Sequence, residues 1–206
     1  MKKLASFTGA QSTGKSTLLV AFKQQMLPTT DPTEYISKRS GHRWSFVDEV
    51  TRLIKRTHGV NINEQGDDDT QLLIMNQHHV NTLNHKKSNN STMCLMDRCA
   101  MDGYVYSYYL HSHGRITDNT MNIVRYMYQY LLKDLSVVFY TDPADVSLHD
   151  DGERSVDVEF RNEIINIYDE VLYSLIDGPQ IVVLSGDVES RMALMMEHLG
   201  EIVPVT

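Results

Sequence analysis

Short apolar runs alternate with longer stretches of helical spacing along the whole chain. Lys2 to Thr8 reads as a strand centred on Leu4-Ala5-Ser6-Phe7, and residues 15–26 read as a helix that ends near Leu27-Pro28. Thr29 to Arg43 is polar, carries Pro32 and Gly41, and reads as a connection. Trp44-Ser45-Phe46-Val47 is a second short strand. Val50 to His58 has helical spacing through Val50, Leu53 and Ile54, with Gly59 as a stop. Asp69 or Asp68 is placed to cap a helix from Thr70 to about Leu83, and Ser88-Asn89-Asn90-Ser91 is a turn. Met93-Cys94-Leu95-Met96 is apolar without interruption, the pattern of a central parallel strand. Helices are predicted over Ala100 to Leu110 and Asp118 to Lys133, then a strand from Leu135 to Tyr140 that ends at Asp142-Pro143. A polar stretch, His149 to Ser155, precedes a long helix from about Asp157 to Leu175. Gln180 to Leu184 gives a fifth strand, and Val188 to about Leu199 a final helix. Strands alternating with helices predict a three-layer α/β fold around a five-stranded parallel sheet.

Between the first strand and the first helix lies Gly9-Ala10-Gln11-Ser12-Thr13-Gly14-Lys15-Ser16. It fits the pattern Gly, four residues, Gly-Lys-Ser/Thr, which arises by chance in roughly one chain in a hundred of this length. The glycines let the backbone wrap closely around an anion. The free N–H groups and the helix dipole favour negative charge there. Lys15 supplies a point charge to the outer phosphates of a nucleoside triphosphate, and the Ser16 hydroxyl is placed to ligate Mg²⁺. Gly9, Ser12, Thr13, Gly14, Lys15, Ser16 and Thr17 are the expected nucleotide-binding residues. Strand, glycine loop and helix in this order predict a P-loop NTPase fold.

Ligands of such sheets collect at the carboxyl ends of the strands. Asp48 and Glu49 follow the second strand there, and Asp97 and Arg98 follow the third. Asp97 is placed to hold Mg²⁺ with Ser16, to take a proton from an acceptor hydroxyl, or to cap the next helix. Glu49 and Arg52, three apart, share a helix face and suit either acceptor binding, with Glu49 as general base, or a surface ion pair. Arg98 suits a phosphate or acceptor clamp, or a structural salt bridge. Gly152-Glu153-Arg154-Ser155, with Arg161 farther on, reads as part of a lid over approximately 147–162. A guanidinium brought in by closure can stabilise charge on a moving phosphoryl group. Tyr104, Tyr106, Tyr108 and Tyr109 fit core packing better than base stacking.

Of 206 residues, 41% are hydrophobic and 22% charged, ordinary for one α/β domain spanning 1–206. No apolar run reaches membrane-spanning length, and the chain enters its first strand at once, so neither a membrane span nor a signal peptide is expected. Cys94 and Cys99 make no metal-spacing motif and fit buried thiols in a reducing compartment, which points to the cytoplasm. The net charge of −8 weighs against broad non-specific nucleic-acid binding but leaves room for a local groove. Lys38, Arg39, His42 and Arg43 form the densest basic patch.

With these residues in place, the chain resembles P-loop kinases of the nucleoside and nucleotide kinase type. More narrowly, it is similar to the small ATPase/kinase family that includes ribosylnicotinamide kinase domains and many phage-encoded relatives. The resemblance rests on Phe7 to Thr17, Asp48-Glu49-Val50-Thr51-Arg52, Thr70-Gln71, Met96-Asp97-Arg98, and Asp151 to Ser155 with Phe160-Arg161. It implies ATP and Mg²⁺ as cofactors, with Ser16 and Asp97 on the metal and Arg154 as a lid arginine on the nucleotide. Lys15, Glu49, Asp97 and Arg154 are then the catalytic set, and Asp48, Glu49, Arg52, Arg98 and Arg161 the acceptor-binding set. The implied reaction is transfer of the γ-phosphate to a nucleoside, nucleotide or nucleobase-linked hydroxyl. A phage branch of such kinases phosphorylates 5-hydroxymethyluracil within DNA, so DNA stays open as the acceptor, with the host cytoplasm as the setting. An NTPase that drives a partner is the alternative of another class. The oligomeric state stays open, a homodimer included.

Overall fold

The computed structural model describes residues 3–88, 92–145, 157–175 and 178–201. Its strands are β1 (Lys3–Thr8), β2 (Met26–Pro28), β3 (Glu34–Ser37), β4 (Arg43–Val47), β5 (Met93–Met96), β6 (Val137–Thr141) and β7 (Gln180–Leu184). They form one sheet in the order β2-β3-β4-β5-β1-β6-β7. β4, β5, β1, β6 and β7 are parallel, which are the five expected strands. The polar connection of 29–43 is instead largely an antiparallel hairpin: β3 pairs with β4, and β2 with β3. Glu34 and Ser37 are buried at the two ends of β3, so its inward positions are polar and carry no apolar alternation.

Among the described residues, seven α-helices join the strands: α1 (Lys15–Lys23), α2 (Val50–His58), α3 (Asp68–Lys87), α4 (Ala100–Ser112), α5 (Asp118–Leu132), α6 (Val158–Ser174) and α7 (Val188–Leu199). The cap of α3 is Asp67, which accepts from Thr70 N at 2.9 Å, rather than Asp68 or Asp69. Asp68 instead accepts from Thr117 N at 2.8 Å, tying α3 to the start of α5.

Alternation along the strands divides the core into two layers. Ala5 and Phe7 pack with Phe22 of α1 and Met195 of α7 on one face. Leu4, Cys94 and Val138 pack with Met101 of α4, Val124 of α5 and Tyr168 of α6 on the other. α2 leans on α3 through Val50, Ile54 and Ile74. Burial raises the Cys94 thiol to about 11 and the Cys99 thiol to about 12, as expected of thiols packed as small hydrophobes.

Because β4 runs parallel to β5 and β1, Arg43 lies at the amino edge of the sheet, and the Lys38–His42 turn lies there too. The glycine loop lies at the carboxyl edge, a strand length of about 16 Å away. At the amino edge Glu201 is wholly buried and accepts from Ser37 Oγ, from Ser40 Oγ at 2.8 Å and from Trp44 Nε1 at 3.0 Å, with His42 Nδ1 at 3.3 Å. The densest basic patch therefore turns away from the loop and is pinned by a carboxylate near the end of α7.

Candidate active site

Gly9 opens the loop at φ +133° and Gly14 closes it at φ +88°. A Cβ on Gly9 would lie 2.7 Å from Thr141 Oγ1 and 3.0 Å from Thr141 O, so the end of β6 presses directly on the loop. Thr141 Oγ1 and Thr13 Oγ1 are hydrogen-bonded at 2.5 Å. On the other side, Arg191 of α7 donates Nη1 to Thr13 O and Nε to Gly186 O, both at 2.9 Å. The loop is thus held in shape by β6 and α7.

The Lys15 ammonium is folded into the loop. It donates to Gly9 O at 2.9 Å, Ala10 O at 2.5 Å and Thr13 Oγ1 at 3.0 Å. Burial, with the neighbouring Arg98 charge, lowers its pKa to about 7. One residue on, Ser16 Oγ donates to Asp97 Oδ2 at 2.8 Å. Asp97 is fixed at the end of β5 by its own N–H, which donates to Val47 O at 2.8 Å. Burial, and then the charge of Glu49, push the Asp97 carboxyl up from the ordinary carboxylate range. A hydroxyl and a carboxylate side by side form a hard oxygen donor set. That set suits Mg²⁺, which takes one or two protein oxygens and completes its shell with water and phosphate. Thr17 is exposed on the first turn of α1.

Glu49 joins the two carboxyl-edge acid segments. Its Oε1 accepts from Arg98 Nε at 2.9 Å and its Oε2 pairs with Arg52 Nε at 2.9 Å. Arg98 reaches further, donating Nη1 to Asp102 Oδ1 at 2.7 Å and to Gly9 O at 3.3 Å. Its guanidinium lies 5.6 Å from the centre of the Tyr106 ring. Burial works against the Arg98 charge, but Glu49, Tyr106 and Asp102 outweigh it and hold the arginine firmly protonated. Tyr106 in turn donates its hydroxyl to Gln11 Oε1 at 3.1 Å, so a loop residue and α4 are joined.

Two cavities meet at Glu49. The first is open, with about 590 Å³ of free space lined by Ser16, Asp97, Glu49, Arg52 and Arg56. The second is a narrow slot lined by Gln71, Ile74 and His78 of α3 and by Arg98, Gly103 and Tyr106. It encloses about 370 Å³ with its mouth, but the centre of a water molecule reaches only about 20 Å³ of it, room for about one water. A larger cavity of about 620 Å³, lined by Tyr104, Tyr128, Ile167 and Val171, contains none of the loop or strand-end residues.

Of the residues picked out by sequence, Gly9, Thr13, Lys15, Ser16, Glu49, Arg52, Asp97 and Arg98 converge here. Asp48 borders the open cavity, but its side chain is 86% exposed and paired with Lys23 at 3.1 Å, so its carboxylate is engaged at the surface. Arg161 on α6 donates to Pro143 O at 3.1 Å, just beyond β6 at the carboxyl edge. Arg154 and most of the expected lid, residues 146–156, lie outside the described residues.

Sequence reasoning missed Asp102, Gln71, His78, Tyr168 and Arg191 as site residues. Asp102 stands four residues after Arg98, a spacing that places the two on one helix face and could have found it. Tyr168 Oη reaches Asp102 at 2.8 Å across 66 residues, and Arg191 reaches Thr13 across 178; no local pattern marks either.

No curated protein matches the chain by sequence. Among solved structures it is similar to NadR protein in complex with NR, with a TM-score of 0.63 and 16% identity over 100% of this chain and 52% of that one. It is also similar to deoxyadenosine kinase from M. mycoides, with a TM-score of 0.63 and 13% identity over 97% of this chain and 100% of that one. Thymidylate kinase from Candida albicans gives a TM-score of 0.62 and 14% identity over 97% and 93%. The chain thus spans about half the length of NadR and nearly all of the two kinases. The expected three-layer P-loop fold is shown by these likenesses. Among the described residues no helix is long and apolar enough to cross a membrane. An AAA domain family model matches residues 5–191, and the chain belongs to that family.

Proposed function

We propose that the chain is a single kinase domain over residues 1–206 that transfers the γ-phosphate of ATP to the hydroxyl of a nucleoside, nucleotide or nucleobase-linked acceptor. The observation that carries this reading is Glu49. Its carboxylate is held between Arg98 and Arg52, beside the Ser16–Asp97 pair and on the wall of an open cavity. A hydrolase needs a place for water only; here a carboxylate beside the phosphate loop faces space for a second substrate. NadR, deoxyadenosine kinase and thymidylate kinase, which share the fold, support an acceptor of this kind.

The roles follow from position. Backbone N–H groups of Gly9 to Ser16 cradle the phosphates, and Lys15 exchanges its loop carbonyl partners for phosphate oxygens. Ser16 and Asp97 hold Mg²⁺, which supplies charge neutralisation on the phosphates when bound. Glu49 accepts the hydrogen bond, and then the proton, of the acceptor hydroxyl, while Arg98 and Arg52 keep its two oxygens aimed. Arg154, outside the described residues, and Arg161 on α6 are the arginines assigned to bring positive charge to the transferring group.

Labelled γ-phosphate from ATP-Mg²⁺ tests the reading against two sets of acceptors. One set holds free nucleosides, nucleotides and nicotinamide riboside; the other holds DNA with thymine or with 5-hydroxymethyluracil. Label in a small molecule upholds the reading as stated. Label only in the modified DNA makes the acceptor a base within a polymer, a second reading favoured by Arg52 and Arg56 along the open cavity. Label released only as phosphate overturns transfer in favour of an NTPase that drives a partner.

A further inference from the structure

Neighbouring residues of the phosphate loop are tied to different parts of the chain. Thr13 is held by Thr141 of β6 and Arg191 of α7. Gln11 is held from elsewhere: its Oε1 accepts from Tyr106 Oη of α4 at 3.1 Å. Tyr106 is itself fixed. Its ring lies 5.6 Å from the Arg98 guanidinium and meets Phe160 of α6 edge-on at 5.9 Å. Arg98 in turn binds Glu49, so Gln11 stands on the Glu49 side of the loop. Burial raises the Tyr106 hydroxyl above its ordinary pKa, which keeps its proton available to the Gln11 oxygen.

With its oxygen engaged, the Gln11 amide has Nε2 left to offer. That atom is buried without a hydrogen-bond partner among the described residues, and Gln11 is 4% exposed. Ser12 Oγ, the next polar atom along, is also buried and without a partner there. Ser12 takes φ +57°, a left-handed backbone that L side chains seldom adopt. A buried donor without a partner costs stability. Two such atoms side by side, in a loop of the kind that surrounds phosphate, call for a ligand rich in acceptor oxygens. In the closed loop the Lys15 ammonium bonds Gly9 O and Ala10 O, on either side of which Gln11 and the β1 end lie. Phosphate that draws Lys15 out brings acceptors next to both orphan atoms. An amide N–H is a donor only. It cannot take the proton of an acceptor hydroxyl, the part assigned to Glu49, but it suits a phosphoryl oxygen.

We propose that Gln11 is a further catalytic residue: its Nε2 donates to a non-bridging oxygen of the phosphoryl group in transit from ATP to the acceptor. The inference rests on the kinase reading above and adds to it a group that meets the moving phosphoryl on the Glu49 side. In the step, the acceptor oxygen forms the new bond to phosphorus. The bond from phosphorus to the β,γ-bridging oxygen breaks, and its electron pair leaves on ADP. The acceptor proton passes to Glu49, and the Gln11 amide is unchanged. A fixed donor that fits the flattened phosphoryl group better than the γ-phosphate of bound ATP acts on kcat rather than on KM. Tyr106 holds the amide in place, so no reorientation is needed as the group moves.

The test uses the full chain, ATP-Mg²⁺ and the acceptor that takes label in the panel above. Gln11→Met keeps the side-chain length without a polar atom. Gln11→Glu keeps an oxygen for Tyr106 and puts a negative charge where the donor was. Both are expected to lower kcat about 100- to 1,000-fold, the range for loss of one preorganised donor. KM for ATP and the calorimetric affinity for ADP should stay within about threefold, because the lost contact belongs to the moving group. Wild-type kcat in both variants overturns the proposal. A loss of ADP affinity as large as the loss of kcat also overturns it, since Gln11 is then a prop for the loop. Should thermal melting show either variant unfolded, Gln11→Asn, whose shorter amide loses its reach, takes its place. A wild type that releases label only as phosphate sinks the kinase reading alone. Hydrolysis lowered by the same factor in the variants then upholds the Gln11 contact, and equal hydrolysis overturns it. Without any turnover, calorimetry decides: a preference for a non-hydrolysable ATP analogue over ADP that the variants lose upholds the contact, and an unchanged or absent preference overturns it.

Discussion

Arg98 Nη1 donates to Asp102 Oδ1 at 2.7 Å, and both side chains are buried. Asp102 also accepts from Tyr168 Oη at 2.8 Å, Thr8 Oγ1 at 3.0 Å and its own cap-position Cys99 N at 3.1 Å. One carboxylate therefore joins the end of β1, the start of α4, helix α6 and the arginine that pairs with Glu49. Asp102→Asn should cost about 3 kcal/mol of stability, because it removes one of the two carboxylates, Asp102 and Glu49, that partner a buried guanidinium. It should also lower kcat for phosphoryl transfer by about 10- to 100-fold while changing KM for ATP little, since Asp102 acts through Arg98. Urea melts and steady-state kinetics check the two parts; full kcat in a destabilised variant would confine Asp102 to a structural role.

His78 gives the stability a pH dependence of known sign. Its pKa is about 4 in the folded chain against 6.5 as an ordinary histidine, so the unfolded chain binds the extra proton between those values. Its contribution is present above pH 6.5 and lost as pH falls toward 4, by roughly 3 kcal/mol at most. The difference in unfolding free energy between wild type and His78→Asn, followed from pH 7 to 4, should shift in favour of the variant. A constant difference would mean that His78 takes up its proton as readily inside the fold as outside it.

Glu201 tests the opposite edge. Glu201→Ala leaves the Trp44 N–H and the Ser37 and Ser40 hydroxyls without their carboxylate and should lower stability by about 3 kcal/mol. Transfer by the remaining folded protein should be unaffected, because this carboxylate is a strand length from the loop. Melting temperature and kcat, measured on one preparation, separate the two effects.

Charge reversal of the basic turn is a further check on edge assignment. Lys38→Glu with Arg39→Glu should leave transfer within twofold, whether the acceptor is a free nucleoside or modified DNA. Loss of DNA transfer alone would mean that a strand crosses the amino edge of the sheet.

The phosphate loop, Glu49, Asp97 and Arg98 were legible because each lies within a few residues of a strand end, where short motifs and apolar runs meet. Their convergence follows from parallel strands alone. The β2–β3 hairpin was not legible: three- and four-residue strands with Glu34 and Ser37 turned inward lack the apolar alternation that marks a strand. The α3 cap was misplaced among three consecutive aspartates, where composition does not choose between neighbours. The slot stayed hidden for another reason. Gln71 and His78 look like ordinary polar positions on a helix until α4, brought alongside by β5, buries them, and Gly103 reads as a weak helix residue until Met75 is seen against it.

The hairpin that sequence passed over also bears on how copies of the chain coexist. An open sheet offers its outer strand to any passing strand, and the five-residue β4 would be such an offer if the sheet stopped there. It does not: β3 covers β4, and the outermost strand is β2, three residues long and finished by Pro28, which has no N–H to donate. On that side the sheet runs out of hydrogen-bonding partners to give. Shortening the hairpin would turn a self-limiting border into a sticky one, and its first symptom would be growth of the sheet from molecule to molecule.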